Sequence, residues 1–337
     1  MAEMTKARPA VKSNASQVRV KKIAPYLGAE ISGVKLAGTI DDADFQVIHD
    51  AFIKHEVLVF RNQKLTVDEY MAFARRFGEL SVHPFSTSLA ERPELIVLDN
   101  DKDAPPLSTD QWHSDEMFRE KPALATILRS TIIPEVGGNT LFASMTTAYD
   151  SLHPSLQEFL CNLEALHDFK VFRVLYSGTR EGRQRLLDLE DIFPNQRHPV
   201  VRVHPVSGRK AIFVSPQTTK CILGVRDFES EHLLQLLYQL PQIPEYQLRV
   251  GWEPDMIVMW DNRSTQHYAP RDYLPARRRM ERLTIKGDRP FGVNEGRKVA
   301  AAAGTTQIAA VSKGDDRVGR HRPGLARPAE AIIAKSK

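Results

Sequence analysis

The segment QWHSDEMF, residues 111–118, sets a histidine and an aspartate two positions apart. Side chains two apart on an extended chain leave from the same face, so His113 and Asp115 can reach one metal ion together. Two donors do not orient a catalytic metal. The third expected donor is His267, in WDNRSTQHYAP, 152 residues beyond Asp115. Two imidazoles and one carboxylate leave the opposite side of the ion open, as in non-haem Fe(II) sites that activate O2. Zinc enzymes use the same donors, so ligand type alone leaves the metal open.

A second group follows in YLPARRRMERLTIKGD, where Arg278 and Arg282 lie eleven and fifteen residues past His267. If RRRMERLTI is a strand, Arg278, Met280, Arg282 and Thr284 share one face. Inward guanidinium groups are costly to bury unless anions pair with them. A dicarboxylate cosubstrate meets that need, since the guanidinium fork binds a carboxylate through two parallel hydrogen bonds. The competing reading is a basic run on the surface. The Gly-Gly turn in PEVGGNTLFAS sets Thr140 near the start of a strand, where its hydroxyl can donate to a bound carboxylate.

Elements that could hold these residues are legible. DDADFQVIHDAFIKHE (41–56) and TVDEYMAFARRFG (66–78) read as helices, the second opening on a Thr66/Glu69 capping box. EVLVF (56–60) between them reads as a buried strand. From residue 94 the texture becomes short strands: ELIVLD, ALATILRS, TLFAS, PVVRVHP, KAIFVS, YQLRVGW, DMIVMW and RLTIKGD. Helical patterns interrupt them near 147–166 and 229–240. Many short strands broken by Gly, Pro and Asn predict a sandwich or barrel. The expected fold is mainly β with flanking helices, around a jelly-roll core. Neither G-x-G-x-x-G nor a P-loop is present, so no nucleotide-binding fold is expected.

The bulk numbers narrow the function class. At 337 residues, 42% hydrophobic and 26% charged, the composition is that of a globular protein. No apolar run approaches the roughly 18 residues of a membrane span, and no secretory signal opens the chain. Residues 1–22 and 298–337 each carry +5 and the whole chain +4, so residues 23–297 carry −6. A duplex-binding face needs its positive charge on the fold, so nucleic acid is not an expected partner. The expected organisation is a basic tail over 1–19, one domain over 20–297 and a flexible basic tail over 298–337. Two cysteines, Cys161 and Cys221, suit a reducing cytoplasm and are expected in the core.

These motifs together resemble the taurine dioxygenase (TauD/TfdA) family of Fe(II)- and 2-oxoglutarate-dependent dioxygenases. The resemblance rests on FGELSVHP, WHSDEMF, GGNTLFAS, HPVVRVHPVSGRKAIFV, WDNRSTQHYAP and DYLPARRRMERLTIKGDRP, in family order. It implies a double-stranded β-helix, iron held by His113, Asp115 and His267, and 2-oxoglutarate bound by Thr140 and Arg278. Arg282 matches the family's second arginine, near the cosubstrate's far end and the substrate anion. Retention of Asp115 favours hydroxylation over halogenation. A dimer or tetramer is also implied.

For the substrate, His83 matches a substrate-binding histidine of the taurine-using members. Their tyrosine and asparagine are replaced here by Ser86 and Thr109, which speaks against taurine itself. His83 with Arg282 predicts a small anionic organic substrate, with Thr109 as a further candidate contact: a sulfonate or alkyl sulfate ester, or alternatively an aryloxyalkanoate. A zinc hydrolase and a non-catalytic metabolite-binding barrel are the contrasting classes.

Overall fold

The computed structural model describes residues 16–84, 88–89, 91–106, 109–169, 172–173 and 178–295. The expected C-terminal tail, and residues 1–15 of the N-terminal one, lie outside these. The described chain opens with β1 (Arg19–Lys22), β2 (Ala29–Ser32), helix α1 (Asp42–His55), β3 (Val57–Phe60) and helix α2 (Val67–Arg75). Next come β4 (Ser88–Leu89), β5 (Arg92–Asn100), β6 (Ala123–Ile132), β7 (Thr140–Ser144), α3 (Met145–Asp150) and α4 (Pro154–Leu160). They are followed by β8 (Glu164–His167), α5 (Arg180–Ile192), β9 (Gln196–Pro199), β10 (Val201–Val203), β11 (Lys210–Ile212) and β12 (Thr219–Leu223). The last elements are α6 (Asp227–Gln239), β13 (Gln247–Val250), β14 (Ile257–Asp261), β15 (Thr265–Tyr268) and β16 (Arg278–Lys286).

Strand alternation decides the layers. An eight-stranded sheet runs β1-β2-β3-β14-β6-β16-β5-β4, and a three-stranded sheet runs β13-β7-β15. On β14, Ile257 and Met259 face one way and Val258 and Trp260 the other; on β3, Leu58 and Phe60 oppose Val57 and Val59. The first set packs against Ile48 and Phe52 of α1 and Tyr70 and Phe73 of α2. The second set packs against Phe142 of β7 and Leu248 and Val250 of β13, joining the two sheets face to face. Behind β7, a third cluster joins Ala143 to Met145 and Ala148 of α3 and Leu234 and Leu237 of α6. Each large aliphatic or aromatic side chain so buried contributes roughly 1.5–3 kcal/mol. The protein is therefore mainly β with helices on the outside of both sheets.

The capping box of α2 forms as expected, with Thr66 and Glu69 bonded reciprocally. The pattern over 147–166 resolves differently: α3 and α4 are separate, and Glu164–His167 is a strand. Pro154 opens α4 at its first turn, and a proline there lacks the N–H and the room to continue the preceding helix. Helix α5 has one buried residue, Leu189, too weak an apolar stripe to predict from the sequence. Cys161 and Cys221 are free and half-buried rather than deep in the core.

Candidate metal and cosubstrate site

His113 and His267 are joined through their backbones. The His113 amide donates to the His267 carbonyl at 3.1 Å, and the His267 amide returns a bond at 2.8 Å. This narrow bridge brings the ring centroids to 4.1 Å. His267 sits on β15, which β7 anchors by pairing His267 with Phe142. His113, however, is an isolated bridge residue and Asp115 begins a turn, so the expected strand face over 113–115 is not what aligns them. The turn does so, with Glu116 at φ 58. One ligand atom from each of His113, Asp115 and His267 falls within 4.8 Å of the others, and all three residues are buried.

Each donor is prepared by its neighbours. His113 Nδ1 donates to the Gln111 carbonyl at 2.7 Å, which leaves the Nε2 lone pair facing Asp115 Oδ1 at 3.8 Å. His267 Nε2 lies 3.9 Å from the same oxygen. Burial lowers the pKa of both imidazoles, and for His267 the adjacent His113 lowers it further. Burial alone would raise Asp115, but Arg282, the two histidines and Thr126 outweigh it and hold the carboxyl well below its usual range. Two neutral imidazoles and one ionised carboxylate are the forms that bind a divalent metal, and the donor set fits iron.

A supporting layer fixes Asp115. The Thr126 hydroxyl on β6 donates to its Oδ2 at 2.5 Å. Asn262 accepts from the Asp115 amide at 3.2 Å and donates to Thr126 at 3.0 Å. The indole N–H of Trp260 in turn holds the Asn262 carbonyl oxygen. Such partners orient a metal ligand and tune its basicity. Arg282 Nη2 lies 2.9 Å from Asp115 Oδ1. It thus stands directly at the triad.

The cosubstrate candidates lie in the same cavity of about 280 Å³, together with the triad, His83, Thr109 and Arg282. Arg278 and Arg282 project to one side of β16, with Met280 between them in the intersheet core. Arg278 is 6% exposed; its Nε donates to the Gly138 carbonyl at 3.1 Å, while Nη2 is buried with no hydrogen-bond partner. Its guanidinium carbon sits 5.8 Å from the Trp252 ring and 5.9 Å from the Tyr273 ring. Burial depresses its pKa to about 10. The Gly-Gly turn is needed for this approach. Gly138 has φ +66, and a Cβ there would stand 3.1 Å from Arg278 Cδ; at Gly137 (φ +82) a Cβ would meet the Asp272 carbonyl at 2.9 Å. Thr140 opens β7, buried, and accepts from the Trp252 indole at 3.0 Å, leaving its own hydroxyl proton available to a further acceptor.

His83 is buried, its ring edge-on to Phe118 at 6.3 Å and to Phe172 at 5.5 Å. Burial, then Arg282 and Arg119, lower its pKa to about 3. Thr109 lines the cavity, but its hydroxyl is already spent on the Ala269 carbonyl at 3.2 Å. Ser86 lies outside the described residues. Sequence reading missed Thr126, Trp252, Asn262 and Glu116. Asn262 was detectable as part of the polar Asp261–Asn262 pair that follows the apolar strand DMIVMW; Thr126 and Trp252 carry no such signal.

A mainly β fold with a buried His-Asp-His group beside a buried guanidinium whose Nη2 has no hydrogen-bond partner is an arrangement suited to a metal-dependent enzyme that takes an anion. Residues 19–284 match the model of the taurine catabolism dioxygenase TauD, TfdA family, and the chain belongs to that family. It is 34% identical over 291 residues to an alkylsulfatase of Acinetobacter baylyi, covering 84% of this chain and 90% of the relative. It is likewise 34% identical to an alpha-ketoglutarate-dependent sulfate ester dioxygenase of Pseudomonas putida, over 86% and 97% of the two chains. A taurine dioxygenase structure from Burkholderia xenovorans superposes with a TM-score of 0.71 at 33% identity, over 82% of this chain and 92% of that one. Another, AAD-2 in complex with Mn(II) and N-oxalylglycine, does so with a TM-score of 0.68 at 28% identity, over 81% and 98%.

Proposed function

We propose that this protein is an Fe(II)- and 2-oxoglutarate-dependent dioxygenase that hydroxylates a small sulfate ester or sulfonate on a double-stranded β-helix core. The carrying observation is the pairing, in one cavity, of a converged His113–Asp115–His267 group with the buried, unpaired Nη2 of Arg278. The first asks for a divalent metal and the second for an anion. Family membership and the relatives' named activities favour iron and 2-oxoglutarate as those two partners.

His113, Asp115 and His267 would hold the iron, which when bound supplies the oxidation of a substrate C–H bond by O2, with 2-oxoglutarate converted to succinate and CO2. The chain's own residues set the geometry. Arg278 offers the distal carboxylate of 2-oxoglutarate two parallel N–H donors, and the Thr140 hydroxyl adds a third. Trp252 and Tyr273 pack beside the guanidinium and keep water from it, which strengthens the pairing. Arg282 and His83 form the cationic and polar end that orients the substrate's anionic group; Phe118 and Phe172 wall the organic part. Hydroxylation of a carbon that carries a sulfate ester oxygen gives an adduct that expels hydrogen sulfate and leaves an aldehyde. From a sulfonate the same collapse breaks the C–S bond.

The test is a panel of alkyl sulfates, sulfonates and aryloxy acids with Fe(II), O2 and 2-oxoglutarate, read by succinate. Succinate in step with aldehyde is expected for a sulfate ester or sulfonate. Turnover without oxygen would instead mark a zinc hydrolase, and no succinate with any anion would sink the reading. An (S)-phenoxypropionate dioxygenase of Sphingobium herbicidovorans is 33% identical over 273 residues, so aryloxy acids are the second substrate class to separate.

A further inference from the structure

Directly after the metal-ligand candidate Asp115 stands a second buried carboxylate that the proposed reaction does not use. Glu116 is 5% exposed and borders the cavity. An acid at the wall of a pocket meant for anions is unfavourable unless it serves another purpose. Its partners show where it is directed. Arg119 Nε lies 2.8 Å from Glu116 Oε2, and the Ser81 hydroxyl is 3.3 Å from the same oxygen. Arg119 Nη2 donates to the Val82 carbonyl at 2.9 Å. The Arg119 backbone carbonyl accepts from His198 Nε2 at 2.9 Å, and its guanidinium lies 5.6 Å from the Phe193 ring.

The contacts on the other side all belong to the segment that carries His83. That segment is tied to the sheet at Leu80, which bridges Ile285, and at Ser81, whose amide donates to the Thr284 carbonyl at 2.7 Å. Past Ser81 it leaves the sheet, and Val82 is 47% exposed. His83 is nevertheless buried at the cavity wall. A guanidinium that donates to a backbone carbonyl on one side and is held by the charge of a buried carboxylate 2.8 Å away on the other connects the two, and its planar shape leaves it little freedom to lose.

We propose that Glu116 and Arg119 are a positioning pair: they clamp the Ser81–Val82 backbone so that His83 faces the pocket, and thereby set the affinity for the anionic substrate. The inference rests on the functional reading above, in which His83 orients that substrate. Neither residue touches the cosubstrate end around Arg278. The clamp therefore acts on substrate affinity and leaves 2-oxoglutarate binding alone.

The test uses the full-chain iron-loaded enzyme with hexyl sulfate as probe. Arg119→Ala should raise KM about tenfold, the loss expected for one hydrogen bond to a charged group, with kcat and the 2-oxoglutarate affinity within about twofold. In a His83→Ala background the same substitution should change KM by less than about twofold, since the clamp then has nothing to position. Glu116→Gln, which removes the charge and keeps the shape, should show the same pattern at smaller size if Arg119→Ala fails to fold. Hydrogen exchange gives a readout independent of turnover: the peptide over residues 79–84 should exchange faster in Arg119→Ala while 111–115 is unchanged. Equal KM effects in both backgrounds, or unaltered exchange at 79–84, overturn the clamp. If the wild-type enzyme makes no succinate from any anion, the functional reading falls instead, and the exchange comparison alone decides the clamp.

Discussion

Replacing Arg278 by methionine should stabilise the ligand-free protein while abolishing its affinity for 2-oxoglutarate. The side chain is 6% exposed, has one hydrogen bond to the Gly138 carbonyl, and leaves Nη2 buried and unpaired. Burial depresses its pKa well below the ordinary guanidinium range, to about 10. A base whose pKa falls on folding is worse off folded than unfolded whenever it is protonated, so the cost is present in full at pH 7 and fades only above about pH 10. That depression corresponds to about 3 kcal/mol. Methionine has similar volume and packs well beside Trp252 and Tyr273, and it forfeits about 1 kcal/mol for the hydrogen bond to Gly138. The net gain of about 2 kcal/mol should raise Tm by about 3–4 °C in a domain of this size. With 2-oxoglutarate the order should reverse. The wild type gains RT ln(1 + [L]/Kd), about 2.7 kcal/mol at a hundredfold excess over Kd, and the variant gains nothing. Thermal unfolding with and without 2-oxoglutarate, and anaerobic titration of the visible band of the Fe(II) complex, measure both arms. A variant that loses stability and still binds 2-oxoglutarate would refute the assignment of Arg278 as a cation buried for its anion.

Three further outcomes follow from the site. His113→Ala or His267→Ala should remove metal binding, read by equilibrium dialysis with Fe(II) under nitrogen, and reduce succinate formation to background; normal turnover by either would exclude the triad. Thr126→Val should weaken metal affinity by about tenfold to a hundredfold, as loss of a ligand's hydrogen-bond partner does, because Asp115 Oδ2 then loses its donor; an unchanged dissociation constant would show Asp115 to be oriented without it. His83, with a pKa lowered to about 3 by burial and by the nearby arginines, is neutral across pH 5.5–8. The profile of kcat/KM should therefore show no histidine step near 6.5 from this residue, and such a step that vanishes in His83→Gln would count against the burial described here.

Much of the site was written locally. His-x-Asp, the Gly-Gly turn and the Arg-x-x-x-Arg spacing of β16 are short patterns in which neighbouring positions carry the chemistry. The continuous apolar runs of β3 and β14 likewise marked strands buried on both faces. Other features were illegible because they depend on partners far along the chain. Asp115 is fixed by Thr126 and Asn262, and Thr140 by Trp252, 112 residues away; a lone Thr or Trp in a strand-rich segment looks the same whether or not it meets a ligand. The expected strand over His113–Asp115 failed for a related reason. The residues that pair with it supply one bridge at His267 and nothing beyond, so the chain is free to turn at Asp115.

The sequence by itself determined the donor types, the β-rich architecture and the two arginines, since periodicity and residue chemistry are properties of the chain alone. The tertiary structure decided that three donors 152 residues apart meet within 4.8 Å, that one guanidinium pairs with Asp115 while the other stays buried with an unbonded N–H, and that Glu116 reaches the His83 segment through Arg119. Distances and desolvation arise only when the two sheets close on each other, and these quantities turn common residues into a site.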